Sequence, residues 1–364
     1  MPLLPIYLRD KFGVGNDVSG VVLSGYVVMT LVSRCFSGYI VDSFPRKKVL
    51  LISFLFFSLA FSGYIVAGSL LFFAMVRTLH GLPFGCVTVA NSTVAIDVLP
   101  SERRAEGVGY YGLSNNIATA ISPFAALAMY HATNDYNLIF SLAMGVAAMG
   151  MIANSTVSVP CKEKIQKKQP VSADRFFLFK AWRVAISLVC LSYSYGVLST
   201  YVAIYGQEEL GINGGTGAFF MLLAVGLILS RLLGSRSLKN GHVTHNAGLG
   251  CCISLFGYLL FAGCHNEFAY FSSALIIGFG NGHMFPAYQT MFLNLAEHNR
   301  RGTANSSQLV SWDVGVGVGI LVGGLLSKHF GYHSAFWSAW ILNLFGVFLF
   351  FFLVKKNYLR NKLR

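Results

Sequence analysis

The stretch "SRCFSGYIVDSFPRKKVLL", residues 33–51, leaves one apolar run and enters the next, with Arg34 inside the first and Asp42, Arg46, Lys47 and Lys48 in the gap. Short charged gaps of this kind recur between long apolar runs along the whole chain. Of its 364 residues 55% are hydrophobic and only 11% charged, whereas a soluble domain carries about a quarter charged residues. The apolar runs are about twenty residues long, the span of a bilayer. The chain therefore reads as an all-α polytopic membrane protein.

Eleven such runs are present, at roughly 18–41, 49–68, 70–96, 107–130, 136–154, 183–205, 214–236, 244–263, 267–293, 303–327 and 334–354. When alternate gaps are placed on opposite sides, "RKK" (46–48), "SERR" (101–104), the segment 161–180, "SRSLK" (235–239), "NRR" (299–301) and the basic tail 355–364 fall together. The opposite gaps hold almost no Lys or Arg. The positive-inside rule puts the basic side and the C-terminus in the cytoplasm. The net charge of +13 is thus topological and excludes a nucleic-acid partner as its explanation. The long polar gap 155–182 reads as a cytoplasmic linker between an N-terminal bundle (1–154) and a C-terminal six-helix bundle (183–354).

The seven cysteines have no CxxC or metal-type spacing and read as reduced core residues. Neither a metal nor a cofactor is expected. HExxH and GxSxG are absent and no intramembrane aspartates pair, which argues against an enzyme.

An offset of 197 relates the halves: Arg34 to Arg231, Gly81 and Gly85 to Gly278 and Gly282, Arg104 to Arg301, and Asn116 to Asp313. Two parallel copies of one helical unit are the pattern of two-halved secondary transporters. The second copy has six runs and the first has five plus "MPLLPIYLRD", which reads as the outer end of a first helix. A late start codon or a truncated frame would account for the remainder.

"GYIVDSFPRKK" (38–48), "RTLHGLPFG" (77–85) and "DVLPSERRAEGVGYYGLSNN" (97–116) resemble the GxxxDxxxRK, RxxxGxxxG and following-loop motifs of the major facilitator superfamily. "SSQLVSWDVGVGVG" and "RRAEGVGYYGLSNN" look most like its bacterial drug and sugar efflux branch. The resemblance covers essentially the whole chain except helix 1. It implies the major facilitator fold, a small-molecule substrate, protons as coupling ion, and a monomer in the lipid bilayer. It also implies a cytoplasmic gate in which Gly38 lets two helices approach and Asp42 caps the helix beginning near Gly302. Arg46 would reach Asp97, and Arg104 would belong to the same cluster. Positive-inside loop charge is the other reading, and suffices for Lys47 and Lys48. Asp42 maps to Lys239 and Asp97 to Asn294, so the gate is one-sided.

Arg77, Asn115, Asn116, Asp313 and His283 are candidates for the substrate or proton pathway. Arg77 lies a third of the way in from the outer face, where a cation costs about 2.5–3.5 kcal/mol unless it faces water or a partner; the resemblance implies that it faces the cavity. Asp313 lies twelve residues beyond Arg301, about 18 Å into the membrane. It reads either as a carboxyl that binds and releases the coupling proton or as a structural partner of Asn115 or Asn116. His283 either lines the pathway or is a satisfied core histidine. The helix 5 antiporter motif survives only as Pro123 and scattered small residues, with Ser122 in place of the usual glycine. The chain is expected to be a proton-coupled exporter of a small organic solute, with an inactive or sensor-like relative as the alternative.

Overall fold

The computed structural model describes residues 3–14, 16–159, 176–212, 216–239 and 241–363; some side chains within its helices, those of Arg104 and Asn116 among them, are outside the description. Most of the expected linker, 160–175, also lies outside it. All regular structure among the described residues is helical: α1 Leu3–Phe12, α2 Asn16–Ser43, α3 Arg46–Ile65, α4 Leu70–Val98, α5 Arg104–Thr133, α6 Tyr136–Thr156, α7 Trp182–Glu208, α8 Thr216–Lys239, α9 Val243–Gly263, α10 Glu267–Leu295, α11 Arg301–Leu349 and α12 Lys355–Asn361. Lipid supplies no hydrogen bonds, so a spanning backbone must satisfy its own. α11 is two arms broken at Gly331, whose φ of 81° and ψ of 162° are non-helical. The arms correspond to the runs 303–327 and 334–354.

Nine described segments are long and apolar enough to cross a membrane, and α5 and α10 are not among them. α10 has span length, but most of its residues, including Asn281, His283, Gln289 and Thr290, are buried. It faces protein rather than lipid, so it can be polar.

The helix boundaries repeat the sequence offset: α3 begins at Arg46 and α9 at Val243, α4 spans Leu70–Val98 and α10 Glu267–Leu295, α5 begins at Arg104 and α11 at Arg301. Packing repeats with them. A Cβ at Gly81 would meet the Tyr26 carbonyl of α2, and one at Gly278 the Leu223 carbonyl of α8, again 197 apart. Only glycine permits these crossings. α1 corresponds to the C-terminal end of α7, and Tyr7 buries its ring against Phe73, Tyr136 and Phe140 at 5.0–5.2 Å.

Two compact units result, but their limits are not the linear ones expected from sequence. The first comprises Met1–Val98, Ile121–Phe177 and Asn299–Ser306; the second Leu99–Ala120, Leu178–His298 and Ser307–Arg364. The start of α11 therefore belongs with the N-terminal helices and the first half of α5 with the C-terminal ones. For α11 the cause is a set of bonds described below.

The segment 355–364, expected to be a basic tail beyond the second bundle, is part of that unit instead. A π-turn at Phe350–Val354 leads into α12, and Tyr358 is 2% exposed. Its hydroxyl accepts from Asn294 Nδ2 at 2.8 Å, while the Leu363 amide donates to the Asn294 carbonyl at 2.9 Å. One buried aromatic side chain outweighs the solvation of a few exposed cations. Tyr358→Ala is expected to destabilise the folded chain by about 3–5 kcal/mol and Tyr358→Phe by about 1 kcal/mol. Thermal melting in detergent would show the order, and equal melting temperatures for all three proteins would contradict it.

Candidate functional site

Four charged residues each occupy the end of a helix that disfavours their sign. Asp42 and Asp97 lie in the last turns of α2 and α4, while Arg46 and Arg301 begin α3 and α11. A helix C-terminus repels anions and an N-terminus repels cations, so none is stabilised by its own helix. Tertiary contacts stabilise them instead, all within the first unit.

Asp42 accepts the Gly302 amide at 3.0 Å, the Thr303 amide at 2.8 Å and the Thr303 hydroxyl at 2.9 Å. The carboxylate thus caps the positive N-terminus of α11. Arg46 Nη2 donates to Asp42 at 3.1 Å and its Nη1 pairs with Asp97. Arg301 Nη1 completes the set at 3.0 Å from the other Asp97 oxygen. Two acids and two arginines balance, and Asp42, Arg46 and Arg301 are each at most 7% exposed. Charge-assisted bonds are worth about 1.5–3 kcal/mol each, and burial removes most screening.

Close approach makes this geometry available. A Cβ at Gly38 would stand 2.8 Å from Thr303 Cα and from Ser306 Cβ. Ser306 Oγ donates to the Arg34 carbonyl, and Asn305 Nδ2 donates to Ser92 Oγ and, at 3.3 Å, to the Val89 carbonyl. Arg301, Gly302, Thr303, Asn305 and Ser306 of α11 are therefore tied to α2 and α4. Arg34 itself is buried, its guanidinium 5.9 Å from the Phe84 ring.

Of the residues singled out by sequence, the structure brings together Gly38, Asp42, Arg46 and Asp97. Arg104 begins α5, and its side chain is outside the description. Its repeat mate Arg301 is in the cluster, as are Gly302 and Thr303. The signal for Arg301 was present in the offset that pairs it with Arg104, but nothing local separates the two.

Arg77 is 4% exposed and lies within the first unit. Its guanidinium carbon lies 3.8 Å from the centre of the Tyr26 ring, and Nη1 donates to Tyr64 at 3.2 Å. In the second unit Asp313 is half-buried on the first arm of α11, beside Trp312, which packs against Tyr195 and Phe285. Asn115 is exposed on α5, and the side chain of Asn116 is outside the description. His283 is 4% exposed; its Nδ1 lies 3.0 Å from the Phe279 carbonyl, and its own carbonyl accepts from Asn246 at 3.1 Å. Those bonds place it in the packing of α9 and α10. Among the described residues no His, Cys, Asp and Glu group could hold a metal ion.

Repeated helical units with buried charge at a helix-end contact define a membrane transporter fold rather than a soluble enzyme fold. The sequence profile of the Major Facilitator Superfamily matches residues 1–319 and 249–363, and the chain belongs to that family. It is 23% identical over 341 residues to the staphylopine export protein of Staphylococcus aureus strain Mu50, covering 90% of this chain and 85% of that one. Identity to the uncharacterized MFS-type transporter YhhS of Escherichia coli K12 is 23% over 342 residues, 90% and 81% of the two chains. The quinolone resistance protein NorA of Staphylococcus aureus matches at 22% over 219 residues, 58% of this chain and 55% of that one. Among solved structures, FucP in its outward conformation superposes with a TM-score of 0.78 at 13% identity, over 96% and 93% of the chains. The chain is a multi-pass membrane transporter of this superfamily.

Proposed function

We propose that the chain exports a small organic solute across the bacterial cytoplasmic membrane in exchange for protons, by alternating access. The observation that carries this reading is the buried cluster of Asp42, Arg46, Asp97 and Arg301. A contact made of directional ionic bonds can break and re-form as a unit, whereas an apolar seam would hold one state. It serves as a cytoplasmic latch, closed here. Export, rather than uptake, is supported by the names of two relatives, one an export protein and one a resistance protein. The placement of Lys and Arg supports a cytoplasmic C-terminus, and the protein acts as a monomer.

Within this reading Arg77 in the first unit and Asp313 in the second carry the solute and proton chemistry, with Asn115, Asn116 and His283 as further pathway residues. Carboxylate, carbonyl and hydroxyl groups on the solute suit so sparse a set of charges. The test uses the full chain in proteoliposomes loaded with a pH-sensitive dye and challenged with a panel of quinolones, sugars and carboxylate metabolites. A transported solute is expected to drive protons the opposite way. Transport of a panel member with no proton movement would remove the exchange from the reading.

A further inference from the structure

We propose that His80 is a positioning residue which, acting through Tyr64, holds Arg77 in place for an acceptor oxygen of the solute. The proposal deepens the reading of Arg77 as a pathway residue and rests on it.

The donors and acceptors of this cluster form one consistent chain, from Arg77 to Tyr64 to His80. Arginine donates and never accepts, so the 3.2 Å contact between Arg77 Nη1 and Tyr64 uses the tyrosine oxygen as acceptor. The Tyr64 hydroxyl proton is then directed at His80 Nδ1, 2.7 Å away. In this arrangement His80 Nδ1 accepts, and His80 is the neutral tautomer carrying its proton on Nε2. The ring is walled by Phe57 at 4.7 Å and Phe61 at 5.0 Å, and the Phe57 backbone interacts with it. Tyr64 and His80 are each 1% exposed. The imidazole receives the Tyr64 hydroxyl, and that bond in turn orients the tyrosine oxygen toward Arg77. Tyr26 supports the guanidinium from its face.

The internal repeat supplies a control for simple packing. At an offset of 197, Tyr64, Arg77 and His80 become Phe261, Ala274 and Ile277, all buried in the core of the second unit. Tyr26 becomes Leu223 in that core. The same place in the same fold is filled there by apolar groups, so helix packing does not require the polar triad. The polar groups instead lie at positions matching the walls around His80, Ser254 for Phe57 and Tyr258 for Phe61, and at Asn281, which matches Phe84 beside Phe57, with Ser254 donating to Asn281 Oδ1 at 3.2 Å. The two units thus carry different polar interiors on one scaffold. In the first, the polar interior is built around an arginine.

The experiment uses the full chain in lipid nanodiscs with ring-15N histidine, the His80 signals being assigned by their loss in His80→Asn. The expected spectrum has Nε2 protonated and Nδ1 as a hydrogen-bonded acceptor, and Tyr64→Phe shifts Nδ1. An Nδ1-protonated ring, or a signal indifferent to Tyr64→Phe, would overturn the relay. Phenylglyoxal then reads the placement of Arg77 by mass spectrometry, in variants that keep the wild-type melting temperature. Modification is expected to be about fivefold faster in Tyr64→Phe and His80→Gln, the worth of one lost bond. It should return to the wild-type rate in His80→Asn, whose Oδ1 falls near the position of Nδ1. Equal rates in all variants, or equal acceleration in His80→Asn and His80→Gln, would overturn it. Export unaffected by Arg77→Gln would overturn the pathway reading beneath the proposal. That failure is separable, because the two other readouts need no solute.

Discussion

Asp42→Asn is expected to loosen the start of α11 by about 3 kcal/mol, about a hundredfold in the open population. The side chain faces four donors: the Gly302 and Thr303 amides, the Thr303 hydroxyl and Arg46. An asparagine has one oxygen to offer them, and its amide group turns a donor toward donors. The change also leaves Arg46 and Arg301 sharing Asp97, two cations on one carboxylate. The reporter is Ala304→Cys, at a position with no exposed surface. Its maleimide labelling in membranes should be about a hundredfold faster with Asp42→Asn than without it. Gly38→Leu should act in the same direction, because its side chain meets the α11 backbone. Combined with Asp42→Asn it should add little, since both act on one contact. Lys48→Gln, at an exposed position, should change nothing. Equal labelling of Asp42→Asn and wild type would count against the latch.

The second large effect is expected at Asp313. If its carboxyl carries the coupled proton, Asp313→Asn should abolish uphill export from proteoliposomes while one-for-one exchange of solute persists. The amide keeps the size and hydrogen-bonding capacity of the acid but cannot titrate. Its repeat mate Asn116 already lacks a proton to give, so the fold accepts an amide at this place. Trp312, set between Tyr195 and Phe285, holds the helix arm independently of the carboxyl. Uphill export surviving in Asp313→Asn would assign the residue to structure instead.

Much of this architecture was legible without coordinates, for reasons that differ by level. Each helix is signalled locally, because a backbone in lipid has no other partner than itself. The repeat was legible because its offset holds for Arg34 and Arg231 as for Gly81 and Gly278, and the helix boundaries keep it. The gate motif pointed to Asp42, Arg46 and Asp97; Arg301 joins them, and the side chain of Arg104 lies outside the described residues. Arg77 could be given a depth but not a direction. Along one helix, depth follows from 1.5 Å per residue, whereas the direction of a side chain depends on which helices pack beside it. The aromatic neighbours Tyr26 and Tyr64 and the histidine behind them come from α2, α3 and α4.

By itself the sequence determined that this protein is a twofold-repeated set of membrane helices, because hydrophobic length and charge placement act residue by residue. Only the tertiary structure decided that Asp42, Arg46, Asp97 and Arg301 meet, and that Tyr358 fastens the C-terminal segment to α10. Each of those four charges is unfavourable on its own helix. What makes it favourable is a partner up to 261 residues away, which no local rule can supply.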